Sequence, residues 1–217
     1  MDKLFRYTSL PVLLDILSRG QLTLISPITW DDRNDSYYLE LYKQKRKLKT
    51  LLALCFTEKA ETYHLWKVFS DGIGGVCIQF NKEKLLEAFG VESEIGYGPV
   101  EYSLIRDLKS QPPELEELPY LKRKPYEDEG EFRVIYESST REINAHSVDF
   151  SLRAIEKINL SPWIPDAVAT SVSQVIKEIP GCSRLRVSKT TLVENKVWKN
   201  IATNQHGITR PSTRRRR

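Results

Sequence analysis

Two apolar, β-rich runs, Leu51–Thr57 and Gly75–Phe80, constrain this chain most. A strand that is apolar on both faces has to lie inside a sheet, with material packed on each side. Around these runs the remaining segments follow in no regular order. Leu4–Tyr7, Val100–Tyr102, Glu131–Glu137, Ala154–Leu160 and Leu185–Val187 read as strands, and Gln21–Ile25 alternates polar and apolar as a half-buried strand does. Thr8 or Ser9 can cap a helix with Pro11 in its first turn, Val12, Leu13, Ile16 and Leu17 recur at helical spacing, and Gly20 ends it. Further helices are expected over Tyr37–Lys49, from the Asn81 cap to about Phe89, and over Pro165–Ile179, where Pro180 stops the chain. Ser26–Asp35 and Lys109–Pro119 read as polar loops. Strands outnumber helices, which favours a mixed α+β domain over a regular doubly wound sheet.

The 217 residues are 40% hydrophobic and 29% charged, enough apolar material for one domain with its own core. We expect that domain over 1–203 and a disordered basic tail over 204–217. The tail holds Arg210 and Arg214–Arg217, so of the net charge of +4 five positive charges sit there and the other residues net −1. Bulk charge therefore does not mark the domain as a nucleic-acid binder. No apolar run approaches the roughly 20 residues of a membrane helix, and MDKLFRYTSL lacks the apolar centre of a secretory signal. The reading is a cytoplasmic protein with no membrane partner. Three widely spaced cysteines, Cys55, Cys77 and Cys182, with no C-x-x-C pair, argue against a disulfide scaffold and a zinc site, and no metal ligand set is assigned.

Three groups carry candidate chemistry. The first is Glu129-Gly130-Glu131-Phe132-Arg133, whose charged residues share one face if the chain is extended. The second is Trp30-Asp31-Asp32-Arg33-Asn34-Asp35, ordinary turn chemistry apart from the tryptophan. The third is the polar stretch from Thr57 to Ser70, with His64 and Trp66. Asp71-Gly72-Ile73-Gly74-Gly75 is glycine-rich but reads as a turn entering a strand. No phosphate-binding P-loop is present, and three scattered histidines assign no triad.

These groups occur together with two others, as LFRYTSL (4–10), TWDDRND (29–35), LCFTEK (54–59), LWKVFSDGIGGVCIQF (65–80) and RKPYEDEGEFRVI (123–135). In that order they resemble a bacterial family known as domain of unknown function 2971, over about residues 3 to 195. Trp30-Asp31-Asp32-Arg33 stands where the family has Phe-Asn-Asp-Pro. The layout looks like an ADP-ribosyltransferase. The resemblance implies an α+β fold with a mainly antiparallel sheet core and peripheral helices. It also implies NAD as substrate, transfer of ADP-ribose to a protein or nucleic-acid acceptor, and a bacterial defence or toxin context. By this analogy Arg6 or Tyr7 fills the first-strand position, Thr57 or Tyr63 the middle one, and Glu131 or Glu129 supplies the catalytic carboxylate. Arg6, Tyr7, Trp30, Asp32, Thr57, His64, Trp66 and Arg133 are the binding candidates.

Two rival readings share these residues. A metal-dependent nuclease or phosphoesterase would use Asp32, Asp35, Glu129 and Glu131 as oxygen ligands for Mg²⁺. A non-enzymatic module binding a nucleotide or protein would use Trp30, Trp66 and the basic run 43–49. Geometry separates the three. The transferase needs Glu129 or Glu131 facing Arg6 and Tyr7 across a cleft, and the nuclease needs Asp32 or Asp35 beside the glutamate pair.

Overall fold

The computed structural model describes residues 2–206, so the basic tail expected at 204–217 lies outside the described residues from 207 onward. In chain order the elements are β1 (Lys3–Ser9), α1 (Leu10–Arg19), β2 (Gln21–Ile25), α2 (Arg33–Lys45), β3 (Thr50–Thr57), α3 (Tyr63–Phe69) and β4 (Gly75–Asn81). There follow α4 (Lys82–Phe89), β5 (Ile95–Pro99), β6 (Glu101–Ser103), α5 (Ile105–Ser110), β7 (Leu121–Arg123) and β8 (Glu131–Ser138). The last are β9 (Ala145–Asp149), β10 (Ile155–Leu160), α6 (Asp166–Glu178), β11 (Val187–Lys189) and α7 (Lys196–His206), which runs past position 203.

Among the described residues nine strands form one sheet along the path β11-β10-β4-β1-β3-β2-β9, with β8 pairing β3 and β5 pairing β8. Only β10 and β11 run parallel in it, so the sheet is mainly antiparallel and the fold is the mixed α+β class expected. β6 and β7 form a separate parallel pair. The two constraining runs behave as their composition requires: β3 and β4 are buried along almost their whole length. β8 is buried on both faces too. Phe132, Val134 and Tyr136 join the main core with Leu52, Leu54, Leu13 of α1 and Phe89 of α4, while Ile135 packs beneath α2 with Leu39 and Tyr42.

The first helix forms as its spacing demands, with Pro11 in the first turn and Gly20 left-handed at φ 64°. Four expectations need correcting. The loop over 26–35 contains a 3-10 turn, Pro27–Thr29, and the start of α2, because the Asp32 carboxylate accepts from the Asn34 amide and caps the helix. That helix ends before Lys49, where Lys47 takes a left-handed φ of 54°. The segment 109–119 is no plain surface loop, since it includes a 3-10 turn, Leu115–Tyr120, with Leu118 and Pro119 buried. α3, β5, α5, β7, β9 and α7 arise where no regular element was expected. β5 reads Ile-Gly-Tyr-Gly-Pro and, among the described residues, pairs only with β8, an edge position where glycine and proline are tolerated. Among the described residues no helix is long and apolar enough to cross a membrane.

Candidate functional site

Strand pairing brings the distant sequence groups together. β3 lies between β1 and β8, with Phe5 opposite Thr57 on one side and Thr57 opposite Glu131 on the other. At the open end of these three strands is a cavity of about 520 Å³. Arg6 and Tyr7 of β1, Thr57 of β3, Trp30 and Asp32 of the loop before α2, and Glu129 and Glu131 line it, with Lys122 and Tyr126. The glutamate pair and the first-strand residues thus line one cleft.

Glu129 and Glu131 reach that cleft by a different route from the one their alternation suggested. Glu129 is not on the strand. It closes a 3-10 turn, Lys124–Glu129, and Gly130 follows in the left-handed region at φ 51° before β8 begins. The turn is tied down on both sides. The Thr57 hydroxyl donates to the Glu129 carbonyl at 2.5 Å, and the Glu58 amide donates to the Gly130 carbonyl at 2.8 Å. The Glu131 amide donates to the Tyr102 hydroxyl at 2.8 Å.

Behind the cleft wall lies a buried ionic cluster. Arg133 is fully buried. Its Nε donates to Glu131 Oε1 at 2.7 Å and Nη2 to Glu131 Oε2 at 3.0 Å. On its other side Nη1 and Nη2 grip Asp35 at 2.9 and 2.7 Å, and Nη1 also meets the Pro119 carbonyl at 2.8 Å. Lys122, from the short strand β7, places Nζ 2.5 Å from Glu129, 3.3 Å from Glu131 and 3.7 Å from Asp35. The ring of Tyr126 lies under that ammonium at 4.8 Å.

The cluster treats its two glutamates differently. Burial alone would push the Glu131 carboxyl up, but the charge and hydrogen bonds of Arg133, with Lys122 beyond, hold it down to about 2. Burial raises Glu129, and the neighbouring charges of Glu131 and Asp35 add to that, against the pull of Lys122. Burial lowers Arg6 from the usual guanidinium range. Arg6 Nη1 donates to the Cys55 carbonyl at 2.9 Å, while its Nε and Asp32 Oδ2 are buried with no hydrogen-bond partner among the described residues. An unpartnered buried donor on β1 and an unpartnered buried acceptor on the facing loop therefore border one cavity.

Not every candidate reaches the cleft. His64 is exposed on α3 and lies outside it. Trp66 is fully buried, donates from Nε1 to Glu61 at 2.8 Å and meets Tyr7 edge-on at 5.2 Å, so it supports the wall from behind. Tyr63, the other choice for the middle position, packs against Trp163 instead. Arg133 holds Glu131 from beneath and does not line the cavity. Lys122 and Tyr126 complete the site and were not among its candidates, and Asp35, expected only as a metal ligand in the nuclease reading, lines it as a partner of Arg133. The signal for Asp35 was Arg133 itself, because a guanidinium in a buried strand needs more than one carboxylate to satisfy five donors. As for a metal, the carboxylates of Asp35, Glu129 and Glu131 are occupied by Arg133 and Lys122. Among the described residues no group of three His, Cys, Asp or Glu side chains could hold an ion.

No family model matches the chain, and no curated protein matches it. Three solved structures of Thermus sp. 2.9 DarT are similar to it. The complex with carba-NAD⁺ is 13% identical over 87% of this chain and 95% of that one, with a TM-score of 0.44. The complex with NAD⁺ is 15% identical over the same shares, with a TM-score of 0.45. The complex with ADP-ribosylated ssDNA is 16% identical over 87% and 94%, with a TM-score of 0.42.

Proposed function

We propose that this chain is an ADP-ribosyltransferase-like enzyme that takes NAD in the 520 Å³ cleft and passes ADP-ribose to an acceptor. The observation that carries the reading is the pair of glutamates that lines that cleft together with Arg6 and Tyr7 of β1, Glu131 gripped by Arg133 and Glu129 by Lys122. Two carboxylates with diverging proton affinities divide the work of acid–base and electrostatic catalysis.

In this reading Arg6 binds the pyrophosphate, for which its free Nε is a ready donor, and Trp30, Tyr7 and Tyr126 offer ring surfaces. The bond from the ribose carbon to the nicotinamide nitrogen breaks with its electron pair going to that nitrogen. Neutral nicotinamide leaves, so no general acid is needed. Positive charge develops on the ribose and Glu131, ionised and locked by Arg133, faces it. Such a preorganised charge is worth most in a site that excludes water. The acceptor's lone pair then forms the new bond to the same carbon, and Glu129, the glutamate with the higher proton affinity, accepts the proton that the acceptor loses.

Calorimetric titration of NAD into the protein, with Mg²⁺ and with EDTA, tests this. Saturable binding that is equal in both and is lost in Arg6→Ala is expected. Absence of NAD binding overturns the reading, and binding that requires Mg²⁺ favours the metal-dependent alternative.

A further inference from the structure

A second cavity, of about 580 Å³, adjoins the first: Asp32, Asp35 and Lys122 border both. The rest of its lining is of a different character. Arg33 at the start of α2, Lys109 on α5 and Arg123 on β7 line it, all exposed. None of the three forms an ion pair with another described residue. Asp35 is already held by Arg133 and Asp32 caps α2, so three unneutralised cations face one acid that is free on a single oxygen. Tyr37 and Tyr38 line the same cavity, with ring centroids 6.3 Å apart, and Tyr37 is 64% exposed. Tyr38 packs partly on the core beneath α2, which leaves Tyr37 as a large aromatic side chain in water in a cavity with unpaired arginines, a stacking platform with an anion clamp.

We infer that this second cavity seats the acceptor of the proposed transfer, and that the acceptor is a nucleotide, free or within a strand, with phosphate on Arg33 and Arg123 and a ring on Tyr37. The inference rests on the transferase reading for the acceptor's role, but the site stands on its own residues. The shared wall is the part of the first cavity that holds Lys122, which contacts both glutamates. A nucleotide in the second cavity thus enters beside Glu129, where its nucleophilic group would give up its proton.

Fluorescence anisotropy with a short fluorescein-labelled single-stranded oligonucleotide tests the site, with AMP as competitor to separate a strand from a free nucleotide. Arg33→Ala/Arg123→Ala and Tyr37→Ala alter exposed side chains and should keep the wild-type unfolding temperature. The double variant is expected to weaken binding about tenfold or more and to flatten its salt dependence, by roughly 0.7 in the log–log slope for each phosphate no longer neutralised. Tyr37→Ala is expected to weaken binding roughly tenfold through the missing stack. NAD binding, measured in parallel, should be unchanged in all variants, because Arg33, Arg123 and Tyr37 do not line the first cavity. Equal oligonucleotide and AMP binding in wild type and double variant, or no binding by wild type at low salt, overturns the inference. Unchanged affinity in Tyr37→Ala overturns the nucleotide assignment, since a bare phosphate group needs no ring platform. A wild type that binds the oligonucleotide through these residues but ignores NAD would remove the transferase reading and leave the second site.

Discussion

Replacing Arg133 by lysine keeps the charge and removes the shape, which isolates what the guanidinium geometry contributes. All its contacts are short: 2.7 and 3.0 Å to Glu131, 2.9 and 2.7 Å to Asp35, and 2.8 Å to the Pro119 carbonyl. An ammonium has three donors and no plane, so it cannot grip two carboxylates and a carbonyl at once. One carboxylate would be left partly unsatisfied among residues no more than a few per cent exposed, beneath the ring of Trp30 at 5.1 Å. Breaking one side of a buried pair costs about 3–5 kcal/mol. In a chain of this size each kilocalorie shifts the unfolding midpoint by roughly 2–4 °C, so Arg133→Lys should lower it by roughly 6–20 °C. Thermal unfolding by circular dichroism, with the far-ultraviolet spectrum confirming a folded start, measures this. A drop under about 3 °C, less than about 1 kcal/mol, would refute the view that Arg133 organises the cluster through its fork and not through charge alone.

The acid limb of stability should report the same cluster. Glu131 falls from 4.5 to about 2 on folding, so its contribution is present above pH 4.5 and is lost as the pH drops towards 2. By itself that is worth about 3 kcal/mol, against which Glu129 and Asp35, both raised by burial, act in the opposite sense. Wild type should therefore lose stability between pH 5 and 2 more steeply than Glu131→Gln in denaturant titrations, and equal slopes would count against the assignment. Gly130→Ala should cost about 1 kcal/mol, since φ is 51° there, and a substitution neutral to within about 0.3 kcal/mol in urea unfolding would contradict the turn's geometry. Burial raises the thiols of Cys55, Cys77, to about 12, and Cys182. Iodoacetamide at about pH 8 should accordingly label the cysteines only after unfolding, and rapid labelling of the native protein, followed by mass spectrometry, would contradict it.

The parts of the fold legible in the sequence were those in which one local rule decides. The doubly apolar runs became β3 and β4, Gly20 ended α1, and Asn81 capped α4 by accepting from the Lys84 amide. The expectation that Glu129 shares the strand with Glu131 missed because Gly130 turns the chain at a positive φ, and the tertiary ties from Thr57 and Glu58 make that turn definite. Edge strands such as β9, Ala-His-Ser-Val-Asp, carry little periodic signal because just one residue of the strand, Val148, is fully buried. Lys122 was silent in the sequence for a related reason. It sits in a run of basic residues that looks solvated, and it is drawn into the cluster only because the short pair β6–β7 packs against the turn that carries Glu129. His64 and Trp66 lay in the right stretch of chain, yet helix α3 points one into solvent and the other into the core.

The most direct test of the central claim is nicotinamide release from NAD by wild type and Glu131→Gln, followed by chromatography. The glutamine has nearly the same shape. It leaves Asp35 and Glu129 to neutralise Arg133 and Lys122, at a cost of about 3–5 kcal/mol for one partner taken out of a buried ion cluster. The variant should remain folded at about 25 °C and bind NAD, while its turnover falls on the order of 100-fold or more, as loss of one preorganised charge does. Turnover equal to wild type in a folded Glu131→Gln protein would contradict the role given to that carboxylate.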